Sequence, residues 1–433
     1  MNSPISTRRL FLQKGLAFLA AAPTIPTFLD RTMMALAAPM DVKRTQQPSG
    51  KDGRILVIVQ LSGGNDGLNM VIPYADDAYH RVRPGLAHKP DSVLKIDNYM
   101  GLHPNLAPLK ALYDDGRVTI IQGVGYPNPN RSHFRSMDIW QSAAPEDEHP
   151  THGWLGRYFD NSCSGNDPHV GISIGETMPL AMMGRRITPL SFDRPETYRY
   201  RGADTQSYLE LNKPQDAPVD PPQTPAKNPR RPVEPATAAS EMEFLCRTAM
   251  DAQLSSDQIL RAAGQHKTQA AYPGGEFGNS LRTVAALIAG NLPTRVYYVS
   301  LGGFDTHAGE RGRHDQLMNQ LGLGLSAFSA DLREQGNEDR VLVMTFSEFG
   351  RRVEQNASGG TDHGAAAPMF IVGGGVHPGV VGWHPSLTDL DRGDLKHNVD
   401  FRGVYATLLQ NWLQSPSKPI LGRQYTLLDL IKS

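Results

Sequence analysis

Cysteine is almost absent from this chain. Its 433 residues hold two, Cys163 and Cys246, with no C-x-x-C spacing. That excludes a cysteine zinc knuckle and covalent c-type haem. Whether the two pair in an oxidising compartment depends on a distance the sequence does not contain. An excess of charge is also missing. Lys plus Arg number 43 against 44 Asp plus Glu, for a formal net charge of −1. With no long basic block there is no electrostatic footprint for nucleic acid, and none is expected as a partner. Long apolar runs are missing as well. The most apolar stretch, GLAFLAAAPTIPTFL, is broken by Pro23 and Pro26 and falls short of the roughly 20 residues a spanning helix needs. No stable membrane span is expected. Nor does any G-x-G-x-x-G open a helix after a strand, so a dinucleotide cofactor has no support.

What is present begins at the N-terminus. Arg8 and Arg9 precede Leu10-Phe11-Leu12 and the apolar stretch, and Ala35-Leu36-Ala37 offers a small-residue cleavage pattern. Residues 1–37 are similar to a twin-arginine export signal, which implies the twin-arginine translocase as a partner and a periplasmic or extracellular destination. The folded part is expected over 38–433. Within it, about 204–240 carries eight prolines and almost no large apolar residues, the composition of an exposed loop or linker.

The remainder alternates. RILVIVQL (54–61) reads as a buried strand ended by Gly63-Gly64; LAPLKALYDDG reads as a helix and RVTIIQGVG as the next strand. A second block starts with RVYYVSL at 295, followed by a helical stripe of Leu317, Leu321, Leu325, Phe328 and Leu332. DRVLVMTFSEFGRR supplies a strand ending at Glu348, a loop containing TDHG feeds one more strand, and DFRGVYATLLQNWL closes as a helix. Strand–helix–strand alternation points to an α/β layer fold with parallel pairing.

Three of these strands break into an acidic residue: Asp66 in SGGNDG, Asp305 in GGFDTH and Glu348 in FSEFG. In open α/β sheets ligands collect beyond the carboxyl ends of the strands. Carboxylates crowded there repel unless a cation shares the site, and histidine supplies nitrogen ligands for zinc-like ions. Asp305, His307 and His363 form a reasonable ligand set, with Asp362 beside the last and His314 competing with His307. Any of Zn, Mn, Mg or Ca suits such donors, zinc first.

The segments LSGGNDGLNMVIPY, GYPNPNRSHFRSMDIWQ, GWLGRYFD, GGFDTH, FSEFGRR and GTDHG together resemble a bacterial, twin-arginine-exported family catalogued as a domain of unknown function, number 1501. That family is placed in the alkaline-phosphatase/sulfatase-like superfamily. The resemblance implies a three-layer α/β/α sandwich with a large mixed, mostly parallel sheet and a dinuclear metal site on its carboxyl edge. By the same resemblance, Asp66 looks like the first-strand aspartate of one metal, Asp305 like the aspartate of the other, and His363 like that site's last histidine. Glu348 falls where an Asp-His pair is usual, so Phe349 replaces a histidine. Gly309 stands where another histidine is usual, with His307 the expected substitute.

The resemblance places the nucleophile at the start of the helix after the second strand, where Ser132 stands. Arg131 or Arg135 would clamp the ester oxygens and His133 would assist proton transfer. Ser132 as a simple helix cap is the plainer reading. The Pro and Arg that formylglycine formation requires are not found after Ser132 or Cys163. Two functions remain open: an exported metal-dependent hydrolase of phosphate or sulfate esters, acting on a small-molecule or glycan ester, and a non-catalytic metal- or anion-binding protein that keeps the fold.

Overall fold

The computed structural model describes residues 53–163, 167–198 and 255–432. The expected export signal, the proline-rich stretch and Cys246, and with it any Cys163–Cys246 pairing, lie outside the described residues.

A nine-stranded sheet organises the molecule. Its strands are β1 (Ile55–Ser62), β2 (Val118–Gly125), β3 (Gly171–Ile174), β4 (Leu190–Phe192), β5 (Val296–Gly302) and β6 (Val341–Phe346). A small hairpin of β7 (Arg351–Gln355) and β8 (Thr361–His363) interrupts the series. The sheet resumes with β9 (Ala367–Val372), β10 (Gly379–Val381) and β11 (Val399–Asp400). In space the order is β10-β2-β9-β6-β1-β5-β3-β4, with β11 also on β2.

All pairings are parallel except those of β9, which runs antiparallel to both β2 and β6. The reversal follows from the short return through the β7–β8 hairpin. Parallel neighbours need a crossover of a dozen or more residues carried across the sheet, and the chain here turns back at the edge it left. The loop expected around TDHG is therefore partly strand, with His363 opposite Arg351 in the hairpin.

Side chains alternate across a strand, and β1 divides its residues between two cores. Ile55, Val57, Val59 and Leu61 face one side. They pack with residues of α1 (Ala107–Asp114), α3 (Glu276–Ala289) and α4 (Glu310–Glu334), whereas α2 (His133–Ser142) and α5 (Phe401–Thr407) line the core on the opposite face. Leu56 and Ile58 belong to that second core. The expected stripe Leu317, Leu321, Leu325, Phe328, Leu332 is buried along its length. Two apolar layers on a central sheet make a three-layer α/β/α sandwich, as the sequence suggests. Among the described residues no helix is long and apolar enough to cross a membrane.

Register positions the site. Ser62 of β1 lies opposite Gly302 of β5, and Gln60 opposite Phe346 of β6. The three loops that follow, each rich in small residues, therefore leave the sheet side by side at its carboxyl edge.

Candidate metal centre

Asp305 is the hub. It follows β5 on the loop Gly303-Phe304, and its side chain is half exposed. His363 Nε2 and His307 Nε2 each lie 3.1 Å from its Oδ1, and the two nitrogens are 2.9 Å apart. His133 Nε2 approaches Oδ2 at 3.5 Å. One donor atom from each of His133, Asp305 and His363 lies within 4.8 Å of the others. Separate segments thus meet here: the start of α2, the β5 loop and the β7–β8 hairpin.

The remaining ring nitrogens decide the chemistry. His133 Nδ1 is 2.9 Å from Glu348 Oε1, His363 Nδ1 is 2.8 Å from the Arg131 carbonyl oxygen, and His307 Nδ1 is 3.3 Å from Asp362 Oδ1. Those partners only accept, so each imidazole carries its proton on Nδ1 and donates it outward. Each Nε2 then presents a lone pair toward a carboxylate. Three lone pairs and a negative charge repel unless they share a cation. Histidines whose second nitrogen is anchored to a carboxylate or carbonyl are the usual arrangement around a bound metal. The spacings of 2.9–3.1 Å compare with about 3.3 Å between donors of a tetrahedral zinc site. These residues fit a divalent cation.

Burial tends to raise the Asp305 pKa, but the hydrogen bond and charge of Arg351 hold it down, at about 2. Burial lowers the His363 pKa from its ordinary value, keeping that ring neutral and able to ligate. Phe349, where the resemblance expected a histidine, is buried, and its ring packs on His363 at 4.5 Å and on His133 at 4.9 Å between centroids. It braces two imidazoles instead of donating to a metal.

The other residues singled out from the sequence fall in different places. Glu348 is buried behind His133: its Oε1 also accepts from the Gly63 amide at 2.8 Å, so it orients the His133 ring rather than joining the open face. Asp362 is exposed and does the same for His307, steadied by Asn356 at 3.3 Å. Asp66 is not brought to the centre. It is fully buried against Arg83, Nη1 to Oδ2 2.5 Å. Asp66 starts a short helical turn, Gly67–Met70, which carries its side chain inward, away from the edge that the strand-end pattern suggested.

His314 is also elsewhere, buried and donating from Nε2 to Asn65 Oδ1 at 3.1 Å. Nearby, His88, His103 and Asp315 form a second group close enough to hold an ion. Its tautomers oppose that use. His103 Nδ1 accepts from the Asn105 amide at 3.0 Å, so the proton sits on Nε2 and goes to Asp315 at 2.8 Å. His103 therefore keeps no lone pair for a metal.

Ser132 stands at the N-cap of α2, exposed, and its side chain makes no cap hydrogen bond. The plain capping reading is therefore not what the structure shows. The two arginines are engaged. Arg131 donates from Nε to Asp394 at 2.8 Å and from Nη2 to the same oxygen. Arg135 fastens the following loop through the Glu146 and Glu148 carbonyls, both at 2.6 Å. Neither is a free anion clamp. Arg351, Arg83 and Glu310 were not singled out from the sequence.

The fold and the cluster define an α/β protein with a histidine–carboxylate centre on the carboxyl edge of a mostly parallel sheet. The chain belongs to the family described as "Protein of unknown function (DUF1501)", which matches residues 116–429. No curated protein matches it. Among solved structures, it is similar to a protein in the alkaline phosphatase superfamily from Vibrio parahaemolyticus, with 9% identity, TM-score 0.35, and 92% of this chain and 77% of that one covered. It is also similar to the C-terminal periplasmic domain of EcEptC from Escherichia coli, with 8% identity, TM-score 0.35 and 76% of each chain covered. A third is the phosphonate monoester hydrolase SpPMH from Silicibacter pomeroyi, with 12% identity, TM-score 0.31, and 86% and 78% covered. Likeness of this extent assigns neither a reaction nor a substrate.

Proposed function

We propose that this protein is an exported, metal-dependent hydrolase of phosphate or sulfate esters, with Ser132 as nucleophile. One observation carries the reading: three imidazoles turn their Nε2 lone pairs toward Asp305 while donating from Nδ1 elsewhere. Asp305, His307, His363 and His133 would hold the cation, zinc being the best match to two or more nitrogens and a carboxylate. When bound, the cation supplies Lewis acidity and a means of lowering a hydroxyl pKa.

The protein's own groups do the rest. Ser132 is adjacent to His133 at the N-cap of α2, and its side chain is uncommitted to a cap. The first-turn amides of that helix favour an anionic ester. With Nδ1 donating to Glu348 and Nε2 turned to the cation, His133 has no nitrogen left to take the Ser132 proton, so in this reading it serves as a ligand rather than as the expected aid to proton transfer. A cavity of about 320 Å³, with Tyr126, Asn128, Asp394 and His397 in its walls, opens between the segments that lead to Arg131 and from His363, and offers room for a small-molecule or glycan leaving group. The N-terminal Arg-Arg pattern supports export through the twin-arginine translocase to the periplasm or beyond, a route that takes folded, metal-loaded cargo.

A second reading, metal or anion binding without turnover, is favoured by one observation: both arginines nearest Ser132 are already committed to Asp394 and to backbone carbonyls. A panel of phosphomonoesters, phosphodiesters and sulfate esters, run with Zn, Mn, Mg and Ca, separates the two. The hydrolase reading expects turnover that falls at least about 100-fold in Ser132→Ala. If every ester survives with the metal bound, the binding reading stands.

A further inference from the structure

We propose that Arg351 is the positioning residue of the metal centre, fixing the direction in which Asp305 faces the imidazoles. The inference rests on the metal reading above.

Arg351 is buried, with no exposed side-chain surface. Its Nε donates to the Gly64 carbonyl at 2.6 Å and its Nη1 to the Thr361 carbonyl at 2.9 Å. The two hydrogens of its Nη2 are shared among the Gly63 carbonyl, the Phe304 carbonyl at 2.8 Å and Asp305 Oδ1 at 2.9 Å. One planar fork therefore joins the loop after β1, the loop after β5 and strand β8, three segments far apart in sequence that each carry or adjoin part of the centre. Four carbonyls already give a buried guanidinium ample acceptors. The fifth bond, to Asp305, is the one that acts on the site.

Its direction matters. Arg351 approaches the carboxylate from the protein interior, while the other side of Asp305 is open. Held from behind, Oδ1 stays within 3.1 Å of two imidazole nitrogens and Oδ2 stays turned to the third. Because Arg351 also pairs with His363 across the hairpin, the same residue sets the spacing between hub and ligand. The approach is close-packed: a Cβ at Gly63, whose φ is +118°, would lie 2.5 Å from the Asp305 amide nitrogen. A lysine supplies charge at one point but cannot span carbonyls on three segments.

The test uses zinc and the full chain. Zinc affinity is measured by competition with a chromophoric chelator for wild type, Arg351→Met and Arg351→Lys, each first shown to be folded by circular dichroism. The cobalt(II) absorption spectrum of each is recorded as a measure of ligand geometry. Outer residues that orient ligands typically contribute 10- to 100-fold to metal affinity. Both variants are expected to lose that much and to show altered cobalt spectra, with lysine giving no rescue. Arg351→Lys retains charge and length and is the variant read if Arg351→Met fails to fold. A folded variant with affinity within twofold of wild type overturns the inference, as does full rescue by lysine, which would reduce Arg351 to a charge. Wild-type protein that binds no zinc overturns this inference and the metal reading together.

Discussion

Glu310 opens α4 and is fully buried beside Asp66. Its Oε2 accepts from Thr361 Oγ1 at 2.6 Å. Its Oε1 and Asp66 Oδ1 are both buried without a hydrogen-bond partner. A proton on Glu310 gives the neighbouring carboxylate a donor where two charged carboxylates would repel. Burial raises the Glu310 pKa first, and the Asp66 charge raises it further; Asp66, with Arg83 against it, stays ionised. The folded chain thus keeps a proton on Glu310 that the unfolded chain releases above its ordinary carboxyl range. The sign follows: stability from this group is complete below that range and declines as pH rises toward the raised value. One proton contributes about 1.4 kcal/mol per pH unit, hence at most roughly 4 kcal/mol between pH 5 and pH 8. Glu310→Gln is the perturbation, because an amide donates to Asp66 and accepts from Thr361 without titrating. Denaturant unfolding of wild type and variant, both with chelator present, should show stabilities within about 1 kcal/mol at pH 5. The variant should then gain relative to wild type as pH rises. Curves that run parallel from pH 5 to pH 8 would refute the shared proton.

Two further outcomes follow from the same geometry. Glu348→Gln removes the charge that anchors His133 Nδ1 but preserves volume, so zinc affinity should fall by about 10-fold or more in a competition titration while the fold is retained; unchanged affinity would separate Glu348 from the centre. Gly63→Ala places a methyl against the Asp305 backbone at a positive φ, a cost on the order of 1–3 kcal/mol. Thermal unfolding should register that loss, and metal affinity should fall with it; a variant as stable as wild type would show that the two loops are not in contact.

The layers of the fold were visible in the sequence because each strand is a compact β-branched run and α4 repeats its leucines at helical spacing. The reversed direction of β9 was not, since it depends on where a short hairpin returns the chain. Asp305 and His307, just past a strand end, and His363 in TDHG were readable as a candidate group, and the structure brings them together. Asp66 shared that local pattern with Asp305 and differs only because its side chain is turned inward to Arg83, a partner 17 residues away whose position no spacing discloses. Arg351 escaped notice for a similar reason. Its four carbonyl partners are backbone atoms, and backbone acceptors leave no mark on residue type. Phe349 reads as a lost ligand in one dimension and as a brace for two imidazoles in three.

The central claim is that distant segments converge on one divalent cation. The most direct measurement is the metal content of the purified protein by mass spectrometry after exhaustive dialysis, for wild type and Asp305→Ala. At least one equivalent of a divalent ion per chain is expected in wild type and next to none in the variant. Wild-type protein that retains none after incubation with Zn, Mn, Mg or Ca, or a variant that retains as much as wild type, would contradict it.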